Sequence, residues 1–91
     1  MPQRVHLIIS GRVQGVGFRF FCVDLARQHG IRGWVRNTED GAVEVMAEGE
    51  EADLKLFVQG CRRGPRGALV RDCQETNEPP AEMFDSFEVT F

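Results

Sequence analysis

The sequence predicts an α+β fold: a ferredoxin-like split βαβ sandwich, with two helices packed on one face of an antiparallel sheet. Three observations predict it. Apolar spacing alternates between strand period and helix period in the order βαββαβ, followed by a short terminal strand. Glycine and proline clusters punctuate the switches. Right-handed crossovers then leave space for the third strand between the first and second.

Each element has its own warrant. Val5 to Ser10 is rich in Val, Ile and Leu, as suits a central strand covered on at least one face. From Phe18, apolar residues fall at Phe18, Phe21, Cys22, Leu25 and Ala26, an i, i+3, i+4, i+7 stripe, and Gly30 follows as the residue that ends the helix. Arg32 to Asn37 reads as strand two. Thr38-Glu39-Asp40-Gly41 supplies turn chemistry before Ala42 to Glu48, where Val43, Val45 and Ala47 share one face. Glu50-Glu51-Ala52-Asp53 opens a second helix with acidic residues, Leu54, Phe57, Val58 and Cys61 form its stripe, and Arg62-Arg63 close it before Gly64-Pro65.

Leu69 to Gln74 reads as a fourth strand whose pattern is interrupted at Arg71 and Asp72, as an edge strand with a bulge would be. Asn77-Glu78-Pro79-Pro80 is expected to be loop. Phe87, Val89 and Phe91 alternate with polar neighbours, which predicts a half-buried strand at the end of the chain.

Composition narrows the function classes. The 91 residues are expected to make one domain over 1–91. A net charge of -3 argues against a general nucleic-acid binder, and no apolar run approaches a membrane span. Met1-Pro2-Gln3-Arg4 leads straight into a strand pattern without a secretion signal, so a cytoplasmic location is expected. Cys22, Cys61 and Cys73 are an odd count without Cys-x-x-Cys spacing, which predicts reduced thiols.

The most informative stretch is Gly11-Arg12-Val13-Gln14-Gly15-Val16-Gly17-Phe18-Arg19, between strand one and helix one. Gly15 and Gly17 permit positive φ, which brings successive N–H groups together as a concave anion site. The helix starting at Phe18 adds unpaired N–H groups and the positive end of its dipole. Arg19 in the first helical turn opposes that dipole, at a cost of a few tenths to about 1 kcal/mol. A phosphoryl group gripped by its guanidinium fork would explain the misfit. The loop lacks the Gly-Lys-Ser/Thr ending of a nucleotide P-loop and does not complete a dinucleotide fingerprint.

On these residues the chain resembles the acylphosphatases. Gly11 to Arg19 looks like that family's signature loop. Gly33-Trp34-Val35-Arg36-Asn37-Thr38, with Asp40-Gly41, Val43-Glu44-Val45 and Glu48-Gly49 after it, is a second match, and Gly64-Pro65 a third. The segment from Leu69 through Met83 departs furthest from the family pattern. The resemblance implies hydrolysis of acyl phosphates, mixed carboxylic-phosphoric anhydrides, to a carboxylate and inorganic phosphate, by a hydrolase without cofactor or metal.

It also implies site residues. Arg19 matches the family's phosphate-binding arginine, acting with the backbone N–H groups of Gln14, Gly15, Val16, Gly17, Phe18 and Arg19. Asn37 matches its water-positioning asparagine. An amide is no useful base near neutral pH, so Asn37 is expected to orient water while a phosphoryl oxygen takes the proton. The carboxylate needs no prior protonation to leave, and phosphoryl transfer is mainly positioning and charge stabilisation. The implied partners are a small acyl phosphate and its product phosphate, with no nucleic acid, no membrane and a monomeric state.

Arg19 alone would pass for a surface charge and Asn37 for a turn residue. Cys22 lies near the cradle, but its place on the apolar stripe makes it a core residue rather than a nucleophile. His6 and His29 have no ligand spacing and are assigned structural roles. Arg12 and Arg36 either enrich the positive site or are surface charges. A non-catalytic acyl- or carbamoyl-phosphate-binding accessory module, of the kind that begins a larger carbamoyl-transferring maturation protein, is the first alternative. An RNA-binding sandwich is the second, disfavoured because Val5 to Ser10 and Ala42 to Glu48 contain no aromatic residue for base stacking.

Overall fold

The computed structural model describes residues 1–81 and 84–91. Glu82 and Met83, at the end of the least family-like segment, lie outside the described residues. The elements are β1 (Pro2–Arg12), α1 (Phe18–His29), β2 (Arg32–Asn37), β3 (Val43–Glu50), α2 (Glu51–Arg63), β4 (Leu69–Glu78) and β5 (Phe87–Val89). The strands form one sheet in the order β4-β1-β3-β2-β5. The expected place of the third strand, between the first two, is where β3 lies. β1 and β2 both pair antiparallel with β3, so they run parallel to each other and finish at the same end of the sheet.

Alternation decides the core. Val5, Leu7 and Ile9 of β1, Val35 of β2, and Val43, Val45 and Ala47 of β3 are buried on one face. The α1 stripe of Phe18, Cys22, Leu25 and Ala26 and the α2 stripe of Leu54, Phe57, Val58 and Cys61 join them in one hydrophobic cluster. Burial of each large aliphatic or aromatic side chain there stabilises the fold by about 1.5–3 kcal/mol. Phe57 of α2 meets Phe87 of β5 edge-on with centroids 5.6 Å apart, closing the core at the β5 side. Gly30 ends α1 in the left-handed conformation at φ 65, its N–H donating to the carbonyl of Ala26.

The structure corrects four expectations. The sheet is mixed rather than antiparallel, because β5 pairs parallel with β2. β4 ends opposite Arg4, at the end of the sheet where β1 and β2 begin, and Phe87 starts β5 at that same end, opposite Gly33, which sets that direction. Asn77 and Glu78 belong to β4, pairing with Val5 and Arg4, and the break falls at Pro79, which has no N–H for the ladder. β3 continues through Gly49 and Glu50 and hands over directly to α2 at Glu51. Phe91 is 95% exposed. The last bond to β2 runs from Thr90 N–H to the carbonyl of Val35, and Phe91 lies beyond the end of β5 at Val89.

β4 is the expected irregular edge. Its pairing with β1 steps from Ser10 opposite Asp72 to Gly11 opposite Val70, so Arg71 is the extra residue of a bulge.

Candidate active site

β1 ends at Arg12 and α1 begins at Phe18, and the intervening turn takes its shape from glycine. Gly15 and Gly17 have φ of 76 and 77, in the left-handed region where a Cβ is costly. A Cβ at either would meet nothing within 4 Å, so the requirement is conformational rather than steric. Val13 is buried and Val16 packs on the core, which fixes both limbs of the turn. Gly17 is also the N-cap of α1, with no side chain to cap the helix and no acidic residue in the first turn. The first helical bond runs from Phe21 N–H to the Gly17 carbonyl, 3.0 Å. Among the described residues, no N–H from Gln14 to Arg19 donates to a backbone carbonyl. These N–H groups lie without backbone partners at a helix N-terminus, where the dipole favours negative charge.

Arg19 and Asn37 are both half-buried. Neither side chain engages a hydrogen bond or ion pair with another described residue. A guanidinium held without a carboxylate at the positive end of a helix retains its donors for a ligand.

Asn37 is the last residue of β2, and the tight turn that follows holds its backbone. Thr38 N–H donates to the Ala42 carbonyl at 2.9 Å, and Ala42 N–H donates to the Thr38 hydroxyl at 3.0 Å. The Thr38 hydroxyl also bonds the Asp40 carboxylate, which lowers the Asp40 pKa below its ordinary value.

The two halves of the site are joined by Gln14. Its side-chain amide nitrogen donates to the carbonyls of Thr38 and Ala42, both at 2.9 Å. The loop wording implies only a backbone role for Gln14, because no pattern within the loop signals partners 24 and 28 residues away.

The remaining candidates are placed outside this cluster. Arg36 pairs with Glu44 at 2.6 Å, and His6 Nε2 lies 2.6 Å from the other oxygen of the same carboxylate. These three side chains alternate with the core positions and therefore sit on the sheet face without helices. Burial opposes ionisation of Glu44, but its bonds with His6 and Arg36 outweigh it and lower the pKa. Arg12 is exposed and unpaired among the described residues. Cys22 is fully buried, as its place on the stripe implies. The Cys61 thiol is pushed well above its ordinary range by a hydrogen bond with Cys22 and by burial.

Fold and candidate site together define a ferredoxin-like sandwich with a glycine-shaped turn at its first strand–helix junction and an arginine without a described partner in the first turn of the helix that follows. The family model described as acylphosphatase matches residues 5–89. A curated acylphosphatase of Anaeromyxobacter sp. (strain Fw109-5) is 55% identical over 71 residues, 78% of this chain and 76% of the relative. One of Trichormus variabilis is 48% identical over 86 residues, 94% and 84% of the two chains. The crystal structure of acylphosphatase from Bacillus subtilis superposes with a TM-score of 0.94 at 37% identity, covering all of both chains. The chain belongs to the acylphosphatase family.

Proposed function

We propose that this chain hydrolyses acyl phosphates to a carboxylate and inorganic phosphate, with the Gln14–Arg19 turn and Arg19 holding the phosphoryl group and Asn37 orienting water. The observation that carries the reading is the pair of bonds from Gln14 to the Thr38 and Ala42 carbonyls, which ties the anion-binding turn to the strand end bearing Asn37. Family membership supplies the reaction.

In this reading the backbone N–H groups of 14–19 and the Arg19 fork bind the phosphoryl oxygens and stabilise charge as it builds in the transition state. The Asn37 amide orients a water in line with the bond to the acyl oxygen. The water oxygen bonds to phosphorus, the phosphorus–acyl oxygen bond breaks, and the pair of electrons leaves with the carboxylate. The water proton passes to a phosphoryl oxygen. No side-chain acid or base is required, because the leaving carboxylate has a pKa of roughly 4.

The chain acts as a single-domain monomer in this reading. The free thiols of Cys22, Cys61 and Cys73 fit a reducing compartment, hence the cytoplasm. No helix among the described residues is long and apolar enough to cross a membrane.

The test is hydrolysis of benzoyl phosphate by purified protein in the presence of a chelator, followed by absorbance. Chelator-resistant turnover is expected. Arg19→Ala abolishes it, and Arg19→Lys loses about 100-fold or more in kcat/KM because a point charge cannot grip two oxygens. Near-normal turnover by Arg19→Lys refutes bidentate binding. No turnover by folded wild type refutes the hydrolase reading in favour of an anion-binding module.

A further inference from the structure

Beside the anion-binding turn, α1 carries a second feature that the reaction as described does not use. Phe20, the residue after Arg19, is 69% exposed. Phe20, Val23, Asp24 and Arg27 follow each other at helical spacing and line one wall of a groove of about 480 Å³. The opposite wall is the β5 edge, with Phe87 and Val89.

The direction of the groove follows from topology. α1 starts at the anion-binding turn and runs away from it, so Phe20 lies at the site end and Arg27 seven residues on, roughly 10 Å along the axis. β5 is parallel to β2, and Val89 sits opposite Val35, two residues before Asn37. Phe20 and Val89 therefore mark the mouth at the end of the sheet that bears Arg19 and Asn37. Val23 and Val89 also pack against the hydrophobic core, so the apolar wall is held in place.

We propose that this groove between α1 and β5 is the acyl subsite, and that it selects acyl phosphates whose acyl part is uncharged and apolar, of aromatic or branched type. The inference rests on the hydrolase reading above. Phe20 and Val23 supply the apolar surface next to the phosphoryl position. The rim carries Asp24 and Glu88 against the single cation Arg27, so an acyl group bearing its own carboxylate meets net repulsion. A planar ring is shorter than the groove and lies flat between the helix and the strand edge.

The experiment compares kcat/KM for benzoyl phosphate with that for acetyl phosphate, whose methyl group reaches little of the groove. The ratio within each variant, divided by the wild-type ratio, cancels the intrinsic reactivities of the two anhydrides. Phe20→Ala and Val23→Asp are expected to lower the benzoyl-to-acetyl ratio by about tenfold, the scale of a lost apolar pocket contact, with Phe20→Leu recovering most of it. Phe20 is exposed, so its variants leave the core intact even if Val23→Asp does not. A ratio unchanged in the Phe20 variants, whether through equal losses on both substrates or none, overturns the subsite. Wild type inactive on both overturns the hydrolase reading and the subsite with it; wild type active on both with an insensitive ratio overturns the subsite alone.

Discussion

The side-chain amide of Gln14 donates to the carbonyl of Thr38 at 2.9 Å, and in doing so fastens the turn before α1 to the turn after β2. A second bond of the same length reaches Ala42. One nitrogen thus uses both its hydrogens on the two ends of the β2–β3 turn. Asn37, immediately before Thr38, is held relative to the donors of 14–19 by that link.

Gln14→Ala separates the two functions while leaving each group present. We expect kcat on benzoyl phosphate to fall by about tenfold or more, since small misplacements in a positioned reaction carry large rate losses. Competitive inhibition by inorganic phosphate should change far less. Stability should drop by about 1–3 kcal/mol in urea unfolding, because two partly buried carbonyls lose a donor. Parallel loss of phosphate affinity and turnover argues against a joining role.

Asn37→Ala removes the group assigned to water. Turnover should fall by about 100-fold or more, on the scale of a lost polar group acting only in the transition state, with the phosphate inhibition constant nearly unchanged. Weakened phosphate inhibition with normal kcat would place Asn37 in phosphate binding instead.

Glu48 is fully buried on the face of the sheet without helices. Its Oε1 accepts from Arg4 Nε at 2.9 Å and from Ala81 N–H at 3.3 Å, and the Arg4 guanidinium lies 4.6 Å from the centroid of the Phe84 ring. Glu48 Oε2 and Arg4 Nη2 are buried without hydrogen-bond partners. Glu48→Ala strands the Arg4 charge and should destabilise by about 3–5 kcal/mol. Arg4→Leu combined with Glu48→Met should recover most of that loss in the same unfolding measurement, because removing both charges removes the uncompensated one.

Glu44 gives a pH dependence with a definite sign. Its folded pKa lies below the ordinary 4.5, since the bonds from His6 and Arg36 outweigh burial. A depressed carboxylate contributes stability that is present above its unfolded value and is lost as pH falls through the folded one. Denaturant unfolding from pH 6 down to pH 3 should therefore show stability falling with acid below about 4.5, with a shallower fall in Glu44→Gln. Identical slopes in the two proteins would mean that the His6–Glu44–Arg36 cluster contributes nothing to acid sensitivity.

Much of this was legible in the chain itself. The bounds of α1 and β2 follow from a seven-residue stripe rule, a glycine stop and a strand ended by turn residues, all signals contained within a dozen positions. The same locality makes the 11–19 loop readable, because positive φ at Gly15 and Gly17 and free N–H groups at a helix start are properties of neighbours in sequence. Family wording then singled out Arg19 and Asn37 from other arginines and asparagines, which spacing alone does not do.

What the tertiary structure decided involves partners far apart. Alternation marked the last strand but not its direction, since period two is the same read either way; the parallel pairing of β5 with β2 follows from where the chain re-enters the sheet. Phe91 continues the alternation yet lies beyond β5 and is exposed, because burial needs packing partners as well as a pattern. No local pattern marks Glu48 as buried; its partners Arg4 and Ala81 meet it only in the folded chain. The sequence determined which segments form and where glycine lets the turn before α1 take positive φ, because those depend on local dihedrals and spacing; the packed fold alone decided what each side chain meets, including the reach of Gln14 to the β2–β3 turn.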